Sequence, residues 1–343
     1  MHELLNTLYV LTQGAVLNLE SDTVRVRIEG ETTLRVPLLR LDAIVVFGRV
    51  TVTPFLIQRC AADGRGLVWL DRRGRFTARA EGPLRGNVLL RRAQHLALSD
   101  PDEPWRIARQ VVAGKVQNSR AQLLRAARDA TAPEAAGALR EAAEHMAEGL
   151  RRLRDADDLD VIRGEEGFAA RTYFGAFEHM LRGDRETFGF DRRTRRPPRD
   201  PVNAVLSFLY ALLQAECAGA AEGVGLDPQV GYLHGLRPGR PALALDLMEE
   251  LRSLTVDRLT LTLINRRQLS GSDFEQLPAG AVHLNESGRR TVIAAYQRRK
   301  ETDVTHRVLK RKVPLGLVPH VQARLLARHL RGDLRDYPPF LIA

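Results

Sequence analysis

The chain has 343 residues, 44% of them hydrophobic and 27% charged, which is long enough for two packed domains and ordinary for a globular protein. Lys and Arg number 52 against 42 Asp and Glu, and the net charge of +10 points to an anionic partner, nucleic acid first. Two cysteines without a CxxC pair exclude a disulfide scaffold and a cysteine zinc site and fit a reducing cytoplasm; there is no signal-peptide pattern at Met1 and no apolar run of about 18 residues that would span a membrane.

Residues 7–80 read as β structure. Segments 7–12, 15–19, 23–28 and 32–37 are short, β-branched and partly alternating, and Gln13-Gly14, Ser21-Asp22 and Glu29-Gly30-Glu31 punctuate them with turn chemistry. Segment 43–47 is a continuous apolar run, the pattern of a strand buried on both faces. A short helix over 55–62 precedes strands at 66–70 and 75–80, joined as a hairpin through residues 71–74. So many short strands predict a small sheet or sandwich rather than a nucleotide-binding βαβ unit.

From about residue 87 apolar residues recur every three or four positions. This predicts helices over 88–97, 105–127, 133–153, 164–181, 201–217, 241–254, 256–265 and 318–331. The expected fold class is α+β in two domains. Residues 1–85 form a small N-terminal β-sheet or sandwich, and residues 86–343 form a larger all-helical domain. Two segments are expected to be mobile. One is 188–200, which carries Arg192-Arg193-Thr194-Arg195-Arg196-Pro197-Pro198-Arg199 as a phosphate-touching loop or a solvated connector. The other is the tail Tyr337-Pro338-Pro339-Phe340.

Basic charge concentrates late in the chain. Residues 289–331 hold 12 Lys and Arg and only two acids, Glu301 and Asp303. Their centres are Arg298-Arg299-Lys300 and Lys310-Arg311-Lys312. With Ile293, Tyr296, Val308 and Leu309 interleaved, they predict a helix with one basic face that contacts backbone phosphates without reading sequence.

Three short stretches offer hard metal ligands. Asp246 and Glu249 are three apart and share a helix face, with Glu250 four from Asp246. Asp246 lies inside an apolar run, so its carboxylate needs a partner: a metal, a His, or an Arg such as Arg237 or Arg252. Glu166 sits near the start of a helix, either as a ligand or as a first-turn acid complementing the helix dipole. Glu165 competes with it, and Arg163 either pairs with it or reaches a phosphate. His234 lies on the Gly- and Pro-rich loop 231–239, as a ligand or as a plain surface residue. Carboxylates plus imidazole suit Mg2+, Mn2+ or Zn2+, and the imidazole favours Mn2+ over Mg2+. A cation site in so basic a chain makes sense if a polyanion comes to it.

No P-loop, nucleophile elbow, HExxH or dinucleotide-binding glycine pattern competes. The segments Arg163-Gly-Glu-Glu166-Gly-Phe-Ala-Ala-Arg-Thr-Tyr-Phe, Asp200-Pro-Val-Asn203-Ala-Val-Leu-Ser-Phe-Leu-Tyr, Gly231-Tyr-Leu-His234 and Leu245-Asp246-Leu-Met-Glu249-Glu-Leu-Arg follow in this order. Together they resemble the CRISPR-associated adaptation integrase family ("Cas one"), and most closely its subtype I-C branch. Asn6-Thr-Leu-Tyr-Val, Val50-Thr-Val-Thr-Pro-Phe and Leu325-Leu-Ala-Arg-His-Leu-Arg-Gly also fit that branch. Where the family often reads Ile-Glu-Gly, this chain has Glu165-Glu166-Gly167.

The resemblance implies a metal-dependent DNA endonuclease and integrase. It would join the 3′-hydroxyl ends of short foreign DNA fragments into the CRISPR array at the leader-repeat junction. The family's metal-binding Glu, His and Asp map to Glu166, His234 and Asp246, with Glu249 as a further ligand for Mg2+ or Mn2+. Arg163, Asn203, Arg298, Arg299, Lys310, Arg311 and Lys312 would contact double-stranded DNA. The implied partners are a second copy of the chain in a homodimer formed through residues 1–85, a "Cas two" dimer, and the "Cas four" exonuclease of subtype I-C. A non-catalytic DNA-binding scaffold and a metal-dependent phosphoesterase acting on small anions are the competing readings.

Overall fold

The computed structural model describes residues 7–72, 76–80, 82, 88–182 and 184–342. The chain divides into two compact units, Met1–Gly86 and Asn87–Ala343. The first is a β-sheet region and the second is mainly helical, a mixed α+β architecture.

Two four-stranded sheets make the first unit. Strands β2 (Val16–Glu20), β3 (Thr23–Ile28) and β4 (Glu31–Pro37) run antiparallel through two-residue turns. Ser21 (φ 47°) with Asp22 (φ 56°), and Glu29 (φ 52°) with Gly30 (φ 88°), supply the positive φ such turns require. The short β6 (Thr51–Val52) pairs in parallel with β2. In the other sheet β1 (Thr7–Val10), β5 (Ala43–Phe47) and β7 (Gly66–Leu70) are parallel, and β8 (Phe76–Ala80) closes it antiparallel to β7. Helix α1 (Pro54–Asp63) connects β5 to β7. A βαβ crossover is therefore present where the short strands predicted none. Its connection over residues 48–53 carries one glycine, Gly48, and no phosphate-cradling run. Leu17, Val24, Ile44, Val46, Leu56 and Leu67 share one core, which draws on both sheets and α1. The expected turn at 71–74 lies partly outside the described residues.

The second unit holds α2 (Val88–Ser99), α3 (Glu103–Asp129), α4 (Pro133–Arg154), α5 (Leu159–Gly175), α6 (Pro201–Val224), α7 (Ala242–Glu249) and α8 (Arg258–Asn265). Two strands, β9 (Phe274–Leu277) and β10 (Ala281–Leu284), precede α9 (Glu286–Lys300). Then come β11 (Asp303–His306), β12 (Arg311–Pro314) and α10 (Val318–Leu330). The all-helical expectation thus fails at two hairpins. The basic stretch after Lys300 is one of them: Val304 pairs with Val313, Lys310 takes a positive φ of 53°, and β-branched residues with Pro314 favour extended backbone over helix.

Helix α6 is long and apolar enough in composition to cross a membrane. Here it packs against α7, α10 and β10, and Leu206, Leu209, Leu213 and Cys217 lie in the core. Both segments expected to be mobile are anchored. Phe188 and Phe190 are buried, with the Phe190 ring 5.0 Å from Phe177. In the tail, Tyr337 and Phe340 are both 1% exposed. A rich set of aromatic side chains in these turn-prone stretches outweighs their irregular backbone, because each buried ring removes a large apolar area from water.

Candidate active site

Four elements of the second unit bring the charged groups together. Helix α7 presents Asp246, Glu249 and Glu250, all nearly or fully buried. Helix α5 starts at Leu159, capped by Asp158, so Glu166 stands two turns in rather than at the helix start. It is therefore not a first-turn acid facing the dipole. Helix α3 contributes Lys115, and the irregular loop after Val230 contributes His234.

Asp246 is the pivot of the loop. Its Oδ2 accepts from the backbone N–H of Tyr232 (2.6 Å) and Leu233 (3.1 Å), and its Oδ1 from the N–H of His234 (3.0 Å) and from ring Nδ1 (2.7 Å). A carboxylate can only accept here, so Nδ1 donates its proton to Asp246 and Nε2 is the ring nitrogen turned away from it. The close approach needs Gly231: a Cβ there would sit 2.8 Å from Asp246 Oδ2 and 2.6 Å from the Ala242 carbonyl carbon. Arg163 does not pair with Glu166. Its Nε donates to the Leu233 carbonyl (2.9 Å) and its Nη1 to Asp160 (3.0 Å), which pins the loop to α5.

Glu249 faces the open side of the imidazole, with Oε1 3.9 Å from His234 Nε2 and 3.0 Å from Arg252 Nη2. Arg252 stacks on the Tyr210 ring at 4.8 Å. Burial pushes the Glu249 carboxyl up, but Arg252, Lys115 and His234 outweigh it and hold it down at about 2. The Lys115 ammonium bridges Glu166 Oε1 and Glu249 Oε2, the latter at 2.7 Å. That second contact is close enough for ion pairing but off the hydrogen-bond direction, so Glu249 Oε2 is a buried oxygen without a hydrogen-bond partner. The two neighbouring acids serve other purposes. Glu165 forms a two-pronged pair with Arg152 (2.7 and 2.8 Å), and Glu250 accepts from Tyr337 Oη (2.7 Å), Gln322 Nε2 (2.9 Å) and Phe340 N (2.6 Å).

Glu166 and Glu249 thus share Lys115 and Glu249 also faces His234, while Asp246 holds His234 with Oδ1 and the Tyr232 and Leu233 backbone with Oδ2. Among the described residues no three His, Cys, Asp or Glu side chains stand ready as a metal cage. The donor set nevertheless fits a divalent cation. Glu166 and Glu249 face one positive charge, the ammonium of Lys115, and His234 Nε2 lies 3.9 Å from the other oxygen of Glu249.

The expected DNA contacts divide. Asn203 is fully buried: Oδ1 accepts from Arg193 Nη1 (2.7 Å) and Thr194 N (2.9 Å), and Nδ2 donates to the Arg192 carbonyl (2.8 Å) and Asp200 (2.6 Å). It fastens the basic loop to α6 and cannot reach a ligand. Arg299 turns inward to the Leu254 carbonyl (2.9 Å), and burial pulls its guanidinium down to about 10. Arg298, Lys310, Arg311 and Lys312 are exposed, and Arg163 is half-exposed.

Sequence reasoning missed Lys115 and did not foresee the Arg252–Glu249 pair. A signal for Lys115 exists: it interrupts the buried α3 stripe of Ala108, Val111, Val112 and Val116, where a lone ammonium requires carboxylates.

The family described as CRISPR associated protein Cas1 matches residues 8–298. The chain belongs to the Cas1 family. It is 55% identical over 341 residues to the "CRISPR-associated endonuclease Cas1 1" of Moorella thermoacetica, covering 99% of each chain. It is 37% identical to a "CRISPR-associated exonuclease Cas4/endonuclease Cas1 fusion" of Geobacter sulfurreducens, covering 97% of this chain and 60% of the fusion. Two solved structures share the fold at 23% identity. A "casposase bound to integration product" has a TM-score of 0.82 and covers 97% of this chain and 92% of that one. A "Cas6-RT-Cas1--Cas2 complex" has a TM-score of 0.83 and covers 100% of this chain and 36% of that one.

Proposed function

We propose that this Cas1 chain is a metal-dependent DNA integrase and endonuclease of CRISPR adaptation, of the subtype I-C kind. The observation that carries the reading is the pairing of Glu166 and Glu249 on one positive charge, with His234 Nε2 3.9 Å from the far oxygen of Glu249 and Asp246 fixing the imidazole. When bound, Mg2+ or Mn2+ would act as a Lewis acid on the scissile phosphate and on the attacking oxygen. Glu166, Glu249 and His234 would hold it, and Asp246 would keep Nε2 aimed. In integration the attacking oxygen is the 3′-hydroxyl of an incoming fragment. Its bond to phosphorus forms as the leaving 3′-oxygen of the leader-repeat strand departs and takes up a proton. In hydrolysis water takes the place of the 3′-hydroxyl. Arg298, Lys310, Arg311 and Lys312 would hold duplex phosphates through charge alone.

The relatives' and neighbours' names support the partners. A Cas1–Cas2 assembly and a Cas4/Cas1 fusion lie among them. We take the working form to be a homodimer that joins a Cas2 dimer and, in this subtype, a Cas4 exonuclease. The first unit would make the dimer and partner contacts, and its exposed Leu39 and Phe55 suit such a role.

The test joins a labelled duplex to a supercoiled leader-repeat plasmid with the partner protein and Mn2+. Replacing His234 or Asp246 by Ala should abolish joining. Undiminished joining by a folded Asp246→Ala protein would end the assignment. One observation favours a non-catalytic DNA-binding scaffold instead: Lys115 already neutralises the acids. Chelation separates the two readings, since a scaffold's contribution would not respond to EDTA.

A further inference from the structure

Lys115 is an odd residue to find between two carboxylates in a site built for a small cation. Its side chain is 10% exposed, and its ammonium touches Glu166 and lies 2.7 Å from Glu249 Oε2. Glu249 in turn holds Arg252 at 3.0 Å. Two carboxylates, Glu166 and Glu249, therefore face one ammonium and one guanidinium. A divalent cation taking the same two oxygens would crowd three cations onto two carboxylates, which a largely buried site does not tolerate. One of the resident cations has to leave.

The geometry distinguishes them. Arg252, with a side chain 14% exposed, is paired with Glu249 Oε1 at 3.0 Å and fixed in place by stacking on Tyr210 at 4.8 Å. Lys115 carries its charge on a flexible four-carbon stem. Its contact with Glu249 Oε2 is misaligned, leaving that oxygen without a hydrogen bond. The ammonium, bonded to Glu166 but on a flexible stem, is the one free to yield.

We propose that Lys115 is a built-in counter-cation of the metal-free site: its ammonium neutralises Glu166 and Glu249 until a divalent cation takes those oxygens, and then withdraws. This inference rests on the metal-centre reading above and adds the residue that sets how tightly the centre binds. Lys115 acts through Glu166 and Glu249, so it is a positioning residue.

Two measurements on the full chain, without DNA, test it. Calorimetric titration with Mn2+ alone compares wild type, Lys115→Met and Lys115→Arg. Lys115→Met should bind Mn2+ roughly tenfold more tightly or better, a coupling of the usual size between adjacent binding events. Lys115→Arg keeps the charge and should not tighten. In the wild-type protein, acylation of lysines by a small reagent, read by mass spectrometry, should speed up at Lys115 when Mn2+ is added. Lys300, buried against Glu216 at 2.5 Å, should serve as the unchanged reference. A folded Lys115→Met protein that binds Mn2+ no more tightly than a wild type that does bind it overturns the inference alone. So does Lys115 labelling that Mn2+ leaves unchanged, which decides the matter if the Met variant fails to fold. Absence of Mn2+ binding in wild type and variant alike removes the metal-centre reading and the inference with it.

Discussion

Asp246 grips His234 at two points with one oxygen: Oδ1 accepts from the backbone N–H at 3.0 Å and from ring Nδ1 at 2.7 Å. The loop conformation and the imidazole orientation are therefore set by the same atom. Asp246→Asn replaces one acceptor by a donor and sets it against backbone N–H groups or the ring. A stability loss of about 2–4 kcal/mol is expected, since hydrogen bonds to a buried charge are strong and orphaned donors are costly. Activity should fall by roughly 10- to 100-fold in the protein that remains folded, the usual effect of losing an orienting carboxylate. Denaturant unfolding and the joining assay measure the two separately. Gly231→Ala should act in the same direction, because its Cβ would collide with that carboxylate and with the α7 backbone.

Glu250, beside the site, gives a pH dependence. Burial pushes its carboxyl up to about 8, against the pull of Phe340 N, Tyr337 and Gln322, from a reference of 4.5. A raised acid adds stability in its protonated form. That contribution is complete below pH 4.5 and is lost as pH rises through about 8. Melting temperature should therefore fall between pH 6 and 9 in the wild type. The fall should be much smaller in Glu250→Gln, whose amide oxygen accepts from Phe340 N and Gln322 while its nitrogen donates to Tyr337. Asp257, pushed by burial to about 6, titrates mostly below that window. Equal slopes for the two proteins would contradict the assignment.

The tail is a structural element. Asn118 Nδ2 donates to the Phe340 carbonyl (2.8 Å), and Ile342 N donates to Asn118 Oδ1 (2.9 Å). Removing residues 337–343 exposes the Tyr337 and Phe340 cavities and leaves Glu250 with Gln322 as its remaining partner. About 3–6 kcal/mol should be lost from the burial of the two rings alone. A guanidinium unfolding curve indistinguishable from wild type would show the tail to be dispensable.

Exposed cations on α9 and the β11–β12 hairpin should govern the salt dependence of DNA binding. Replacing Arg298, Lys310 and Lys312 together by Ala should flatten the plot of log affinity against log salt by about 2.7, or about 0.9 per phosphate contact released. The reduction should be independent of DNA sequence. Asn203→Ala, by contrast, should lower stability through the lost anchor of the basic loop while leaving the salt slope of the folded fraction unchanged.

Part of the candidate site could be read without coordinates. The i, i+3 spacing of Asp246 and Glu249 in an apolar run placed both acids on an inward helix face, and the glycines around His234 marked a loop. Glu165 and Glu166 could not be told apart, because two adjacent helical positions differ only in which neighbour each faces. Arg152 claims one and Lys115 the other. The irregular tail and the basic loop read as mobile because local propensity ignores what a buried Tyr337, Phe340 or Phe190 gains from distant partners.

Sequence alone determined the charge balance, the change from strand-like to helical periodicity near residue 87, and the order of the motifs that mark the family. These depend on composition and on neighbours within a few positions. Tertiary structure decided the rest: that Asp246 holds His234 while Glu249 faces its Nε2, and that Lys115 from α3 stands between Glu166 and Glu249. Those roles arise from contacts between residues 12 to more than 130 positions apart. No local pattern encodes them, because the partners meet only when the whole second unit packs.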